Sequence, residues 1–311
     1  MLGLLDVDLT VYDKDNLDMQ VANGAHIIFS TWGMPVYTEE EIRAIFPNLK
    51  VVFYGAGSVQ AFARPFISCG IQVVSAWAAN AIPVAEFALS QIILANKGFF
   101  LTQKTMREDG YIAARELTNK HFRGTFDCTL GIIGAGMIGR KLIELLKACN
   151  MRMRILVFDP FLPPEALKVL DGVKLCSLET LFEESQVISN HLADNPQTVG
   201  MLNYELFKRM ASAAVFINTG RGAQVVEADL IRALNEQPMR TALLDVTAPE
   251  PPVDGHPFYT MPNVFLSSHI SGSIGDETGR LGEYMLDELT LYLNGQNFKY
   301  EVTADMLERM A

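Results

Sequence analysis

Short uninterrupted apolar runs alternate with helix-patterned stretches from one end of this 311-residue chain to the other. The runs occupy residues 9–12, 26–30, 51–54 and 72–75, then 130–133, 155–158, 173–175, 187–189, 213–218, 242–245 and 264–267. Runs apolar at consecutive rather than alternate positions read as strands buried on both faces, and such burial needs helices on each side of a parallel sheet. The class is therefore α/β, with a complete doubly wound set of strands in the second half. Helical patterns fall at 39–46, 84–95, 137–149 and 276–293, and the last ends at Asn294-Gly295. The polar stretch 103–123 shows no strand pattern and reads as a linker or arm.

A hydrophobic fraction of 49% allows a large core, and the length favours about two domains. The net charge of -11 denies the basic stripe that displaces counterions from a phosphate backbone, so no nucleic-acid partner is expected. Nowhere do 18 uncharged apolar residues run together, and Met1–Asp6 lacks a basic leader. The expected compartment is the cytoplasm, with no membrane partner. Cys69, Cys128, Cys149 and Cys176 show neither CxxC nor Cys/His ligand spacing, so they read as reduced core thiols and no metal is expected.

The run Gly134-Ala135-Gly136-Met137-Ile138-Gly139 is a GxGxxG directly after one strand pattern and before an amphipathic helix. Gly134 permits the tight turn, Gly136 lets backbone approach a pyrophosphate, and Gly139 lets the helix pack on the strand. The free N–H groups and positive end of that helix then face the anion. Asp159 follows Gly139 by 20 residues, at the end of the next strand, where a carboxylate accepts hydrogen bonds from ribose hydroxyls. Since Pro160 and Phe161 rather than Arg follow it, NAD is favoured over NADP. FAD and S-adenosylmethionine use similar loops, so the motif alone does not name a hydride carrier.

Three further segments sit just past strand ends, where open α/β sheets hold their ligands. Arg221 lies in Asn218-Thr219-Gly220-Arg221-Gly222, Glu250 in the proline-braced 245–252, and His269 ends the last strand. Oxidising a secondary alcohol requires a base for the hydroxyl proton, and imidazole titrates nearest neutral pH. A carboxylate beside it fixes the tautomer, the role expected of Glu250. The guanidinium of Arg221 matches a substrate carboxylate and polarises the C2 oxygen. Singly, such an Arg or His is an ordinary surface or structural residue; it is their joint placement on successive strand ends that points to a site. His26, His121, His191 and His256 lack comparable partners and read as structural, although His191 also ends a strand.

With these motifs the chain resembles the D-isomer-specific 2-hydroxyacid dehydrogenases over nearly its whole length. The resemblance implies a Rossmann-type NAD domain at 99–277 and a smaller flavodoxin-like α/β substrate domain, discontinuous in sequence, from 1–98 and 278–311. It places the family's catalytic residues on Arg221, Glu250 and His269, its nicotinamide-amide partner on Asp245, and its substrate-loop glycines on Gly55 and Gly57. The cofactor set it implies is Gly134, Gly136, Met137, Ile138, Gly139, Asp159, Thr219, Gly220, Asp245 and Gly272. Implied partners are a small 2-hydroxy or 2-oxo acid and a second copy, joined through the nucleotide domains with 103–123 as a dimer element.

Departures include Gln60 for a usual Asp, Met137 for a usual Arg beside the pyrophosphate, and Ser271 for a usual Gly. Little precedes residues 9–12, so either the first edge strand is missing or the start is assigned downstream of the true one. The loop Thr31-Trp32-Gly33-Met34-Pro35 offers no cation for a phosphate. Trp32 and Trp77 are expected either to line the substrate site and favour an unphosphorylated acid with an apolar side chain, or simply to pack the core. The alternative function is an NAD-sensing regulatory protein on the same fold, as in corepressors resembling this family; a homocysteine-releasing hydrolase would be longer and lack the Arg/Glu/His order.

Overall fold

The computed structural model describes residues 5–162 and 172–308. They divide into two compact units, Met1–Asn80 with Gly275–Arg309, and Ala81–Ile274. In chain order the smaller unit opens with α1 (Met19–Gly24), β1 (Ile27–Ser30), α2 (Glu39–Ile45), β2 (Val51–Tyr54), α3 (Ala63–Ser68) and β3 (Gln72–Ser75). Helix α4 (Trp77–Asn96) follows, then α5 (Phe99–Glu108) and α6 (Gly110–His121). The larger unit continues with β4 (Thr129–Ile133), α7 (Met137–Ala148), β5 (Arg154–Phe158), β6 (Val173–Leu175), α8 (Leu178–Glu184) and β7 (Val187–Asn190). Then come α9 (Tyr204–Phe207), β8 (Val215–Asn218), α10 (Glu227–Glu236), β9 (Thr241–Leu244) and β10 (Val264–Leu266). The chain ends with α11 (Thr278–Leu293) and α12 (Ala304–Leu307), which belong to the smaller unit.

The larger sheet has seven parallel strands in the order β10-β9-β8-β7-β4-β5-β6. Its strands sort their side chains by parity. Leu130, Ile132, Ile155, Val157, Val187, Val215, Ile217 and Leu243 enter one core cluster. Ile133, Leu156, Ile188, Phe216, Ala242 and Leu244 enter the other. Away from the edge strand β6 both faces are dry, which is why these runs are apolar at consecutive rather than at alternate positions. The order reverses between β4 and β7, and at that switch point the C-terminal strand ends splay into a ligand crevice.

The smaller sheet is β1-β2-β3, all parallel. Val51, Phe53 and Val74 pack beneath Leu281, Met285 and Leu289 of α11. Among the described residues no strand precedes β1. The strand expected at 9–12 is absent: the segment is irregular, with Leu9 and Val11 each 86% exposed. Asp8 accepts hydrogen bonds from Thr10 N at 2.8 Å and the Tyr12 hydroxyl at 2.7 Å. This local side-chain acceptor competes with strand pairing for the backbone.

The units divide at Asn80, inside α4, rather than at residues 98/99. Ala76 and Ala79 belong to the core of the smaller sheet, whereas Ala85, Ala88, Ile92 and Ala95 belong to that of the larger. One helix thus serves two cores. With a mean hydropathy of 1.4 over its 18-residue window, α4 is also long and apolar enough to cross a membrane, the one such helix among the described residues. Residues 103–123, expected as an arm, form most of the helical pair α5 and α6. Of the four thiols, all free, Cys128 is buried, Cys69 and Cys176 are half-buried, and Cys149 is exposed at the end of α7, so it is no core thiol.

Candidate active site

The residues expected to form the site follow strand order. Reading across the larger sheet from β10 to β5, the chain segments beyond the C-terminal ends carry His269, Glu250, Arg221, His191, Gly134 and Asp159 in turn. Five inter-strand steps of ~4.8 Å make a row on the order of 24 Å long, suited to an extended dinucleotide.

At the β4 end, Gly134 adopts a φ of +88°, and a Cβ there would lie 2.6 Å from the His191 carbonyl oxygen. A Cβ on Gly139 would lie 2.2 Å from the Gly134 carbonyl oxygen, so only glycine lets α7 start this close to the strand. A Cβ on Gly136 would meet nothing within 4 Å, the open approach that a pyrophosphate requires. Met137, 42% exposed, and Ile138 begin α7 beside it. Asp159 accepts from Ala135 N at 2.7 Å and Phe161 N at 2.8 Å, which holds its carboxylate against the glycine turn. These residues fit a bound NAD: a bare helix N-terminus for the diphosphate and an oriented carboxylate for the ribose.

At the β9 and β10 ends, His269 Nδ1 lies 2.5 Å from Glu250 Oε1, and both side chains are partly exposed. His269 itself has a φ of 55°, unusual for a residue with a Cβ. Its loop is held by Asp245, whose Oδ1 accepts from the Ser267 hydroxyl (2.6 Å) and Ile270 N (2.9 Å) and whose Oδ2 accepts from Ser271 N (2.9 Å). Burial pushes the Asp245 carboxyl up, but the hydrogen bonds from Ser267, Ser271 and Ile270 outweigh it and hold the group below the usual range. Asp245, expected as a nicotinamide contact, also positions the imidazole loop, with Gly272 just beyond it.

At the β8 end, Arg221 donates from Nη1 to the Gly220 carbonyl at 2.8 Å, and its Nε lies 3.8 Å from Asp194 Oδ2. Its backbone is fixed by buried amides that the sequence reading did not single out. Gln224 Oε1 accepts from Arg221 N at 3.2 Å and Asn190 Nδ2 at 2.7 Å; Asn218 Oδ1 accepts from Asn190 Nδ2 at 2.9 Å and Gly220 N at 3.1 Å. Thr219 Oγ1 lies 3.0 Å from His191 Nδ1, and Ser189 Oγ lies 2.9 Å from Nε2. Burial pulls His191 down to about 3, so the ring is neutral at physiological pH. His256, read as unpartnered, lies 3.2 Å from Glu227 Oε2, and Glu227 Oε1 accepts from Ala248 N at 2.9 Å, which braces the loop bearing Glu250.

Gly55 and Gly57 belong to the smaller unit. Gly55 N extends the β1–β2 pairing to the Ser30 carbonyl at 2.8 Å, and Ser75 Oγ donates to the Gly57 carbonyl at 2.6 Å. In the same unit Trp32, 56% exposed, lines an open cavity of about 370 Å³ with Phe29, Phe53, Met285 and Leu286. Trp77 instead packs edge-on against Tyr300, at 6.0 Å between ring centroids.

A parallel sheet with this glycine turn, its carboxylate and a row of polar strand ends defines the class of dinucleotide-binding α/β folds. Residues 89–271, more than half of the chain, match the family model of the D-isomer specific 2-hydroxyacid dehydrogenase NAD binding domain. The chain belongs to that family. It is 29% identical to a D-3-phosphoglycerate dehydrogenase of Archaeoglobus fulgidus over 77% of this chain and 44% of the relative. It is 34% identical to a glycerate dehydrogenase of Methylorubrum extorquens over 54% of this chain and 51% of the relative. The chain thus spans about half the length of these curated relatives. The D-mandelate dehydrogenase of Rhodotorula graminis shares the fold, with a TM-score of 0.79 at 20% identity over 92% of this chain and 86% of that one.

Proposed function

We propose that the chain is an NAD-dependent dehydrogenase that interconverts a small D-2-hydroxy acid and its 2-oxo acid. The observation that carries this reading is the 2.5 Å contact between His269 Nδ1 and Glu250 Oε1, on the same sheet edge as the dinucleotide turn. NAD, held by Gly134, Gly136, Met137, Ile138, Gly139, Asp159, Thr219, Gly220, Asp245 and Gly272, supplies the hydride acceptor or donor. Glu250 accepts from Nδ1 and so leaves His269 Nε2 to take the C2 hydroxyl proton on oxidation, and to return it to the carbonyl oxygen on reduction. Arg221 binds the substrate carboxylate with its planar fork and polarises the C2 oxygen.

The substrate is an unphosphorylated acid with an apolar side chain. Support comes from the cation-free loop at 31–35 and from the apolar lining around Trp32. The protein works in the cytoplasm as a homodimer, with α5 and α6 as the dimer element; Tyr111 and Ile112, exposed by 62% and 68%, give that pair an apolar outer surface. Sedimentation at micromolar concentration should show twice the chain mass.

NADH fluorescence with a panel of unphosphorylated 2-oxo acids tests the reading. Steady turnover is expected, and His269→Ala should lower kcat by at least about 100-fold while NADH still binds. NADH binding without turnover of any acid would favour the regulatory alternative, and activity with 3-phosphoglycerate matching that with simple acids would overturn the substrate class.

A further inference from the structure

The catalytic reading gives Asp194, a charged side chain at this sheet edge, no role. Asp194 lies four residues beyond β7, with Oδ2 3.8 Å from the Nε of Arg221; the two side chains are 42% and 31% exposed. Its placement is built into the fold. Gln224 is fully buried, and its Nε2 donates to the carbonyls of Leu192 at 3.0 Å and Ala193 at 2.9 Å, while its Oε1 accepts from Arg221 N. The Thr198 hydroxyl donates to the same Ala193 carbonyl at 2.8 Å. One buried amide therefore fixes the two backbone points from which Asp194 and Arg221 diverge, so their approach is framed rather than a chance meeting of long surface side chains.

We propose that Asp194 is a charge filter. It admits acids whose one negative charge near C2 is the carboxylate held by Arg221, and it rejects acids carrying a second anion on C2 or C3. The proposal rests on the reading of Arg221 as the carboxylate anchor. A guanidinium carries a single positive charge, and a carboxylate 3.8 Å away already offsets part of it. A monoanion still gains the directional hydrogen bonds of the fork. A dianion brings its second charge up to Asp194, with only the partly offset charge of Arg221 to meet it, so Asp194 is the repulsive element. An anion placed beside the anchor is a stronger exclusion than a loop that merely lacks lysines.

Calorimetric titration of the NADH-loaded full chain with two unreactive acids tests this. Oxamate carries one charge; tartronate carries a second carboxylate on the carbon bearing the hydroxyl. Wild type should prefer oxamate, and the preference should shrink as ionic strength rises. In Asp194→Asn and Asp194→Ser the affinity for tartronate should gain about tenfold relative to that for oxamate. An unchanged ratio, a parallel loss for both acids, or no binding of either acid to wild type overturns the filter. Turnover of 2-oxo acids is read separately. A protein that shows the ratio shift but reduces no acid keeps the filter and loses the dehydrogenase reading, and one that turns over with a fixed ratio loses the filter alone.

Discussion

Acid should weaken this protein through one buried ring. His191 is neutral in the fold because burial pulls it from 6.5 to about 3, and its nitrogens are engaged by Ser189 and Thr219. The unfolded chain binds a proton at this residue below about pH 6.5, whereas the folded chain refuses it until about pH 3. Stability is therefore intact above the unfolded value and is lost as pH falls through that window. The whole gap corresponds to about 5 kcal/mol, of which about 2 kcal/mol is already lost between about pH 7.5 and about pH 5. Urea unfolding followed by circular dichroism at these two pH values measures it, with His191→Asn as the reference. All other titrating groups act equally in both proteins and cancel in the double difference. The variant starts less stable but should lose about 2 kcal/mol less than wild type on acidification. Parallel pH dependence in the two proteins would refute the reasoning.

Gln224→Leu removes the side-chain partner of the Leu192 carbonyl and of Arg221 N, and one of two donors to the Ala193 carbonyl, so unfolding free energy should fall by about 2–4 kcal/mol. Because the same change frees the Arg221 backbone, KM for a 2-oxo acid should rise more than kcat falls; steady-state kinetics showing kcat alone affected would contradict this. Asp159→Asn keeps an acceptor for Ala135 N but loses the charge that selects ribose hydroxyls. The ratio of kcat/KM for NADH over NADPH should drop about tenfold, and an unmoved ratio would remove Asp159 from cofactor selection.

What was legible in the sequence was what a local pattern encodes. The central strands of the larger sheet, β4, β5, β7 and β8, were readable because their runs are almost wholly apolar and buried on both faces. The Gly134 turn was readable because its glycines answer to a positive φ and a 2.2 Å approach. The failure at 9–12 has the complementary cause: Asp8 offers Thr10 N a local acceptor in place of a strand partner, and Leu9 and Val11 stay exposed although β1 is an edge that could have paired them. Asp194, Gln224, Asn190 and the Glu227–His256 brace were missed because each acts through contacts between strand ends far apart in the chain. The rule that drew attention to the ends of β8, β9 and β10 applies equally to the end of β7, and would have singled out Asp194 beside His191.

The two roles of Asp245 show how the site is stabilised. A residue with a Cβ held in the left-handed region costs on the order of 1–2 kcal/mol, so His269 does not adopt φ 55° unaided. The carboxylate beneath it accepts two backbone N–H groups and the Ser267 hydroxyl, charge-assisted bonds of about 1.5–3 kcal/mol each. Those bonds outweigh the burial of the charge, and they tie down the turn in which His269 takes that φ. His269 N in turn donates to the Asp245 carbonyl at 3.0 Å, so side chain and main chain of one residue grip both sides of the turn. The ring is thereby presented to Glu250 from a turn pinned on both sides, and on the proposed reading of His269 as general base that placement matters most, since proton transfer depends on geometry before it depends on acidity.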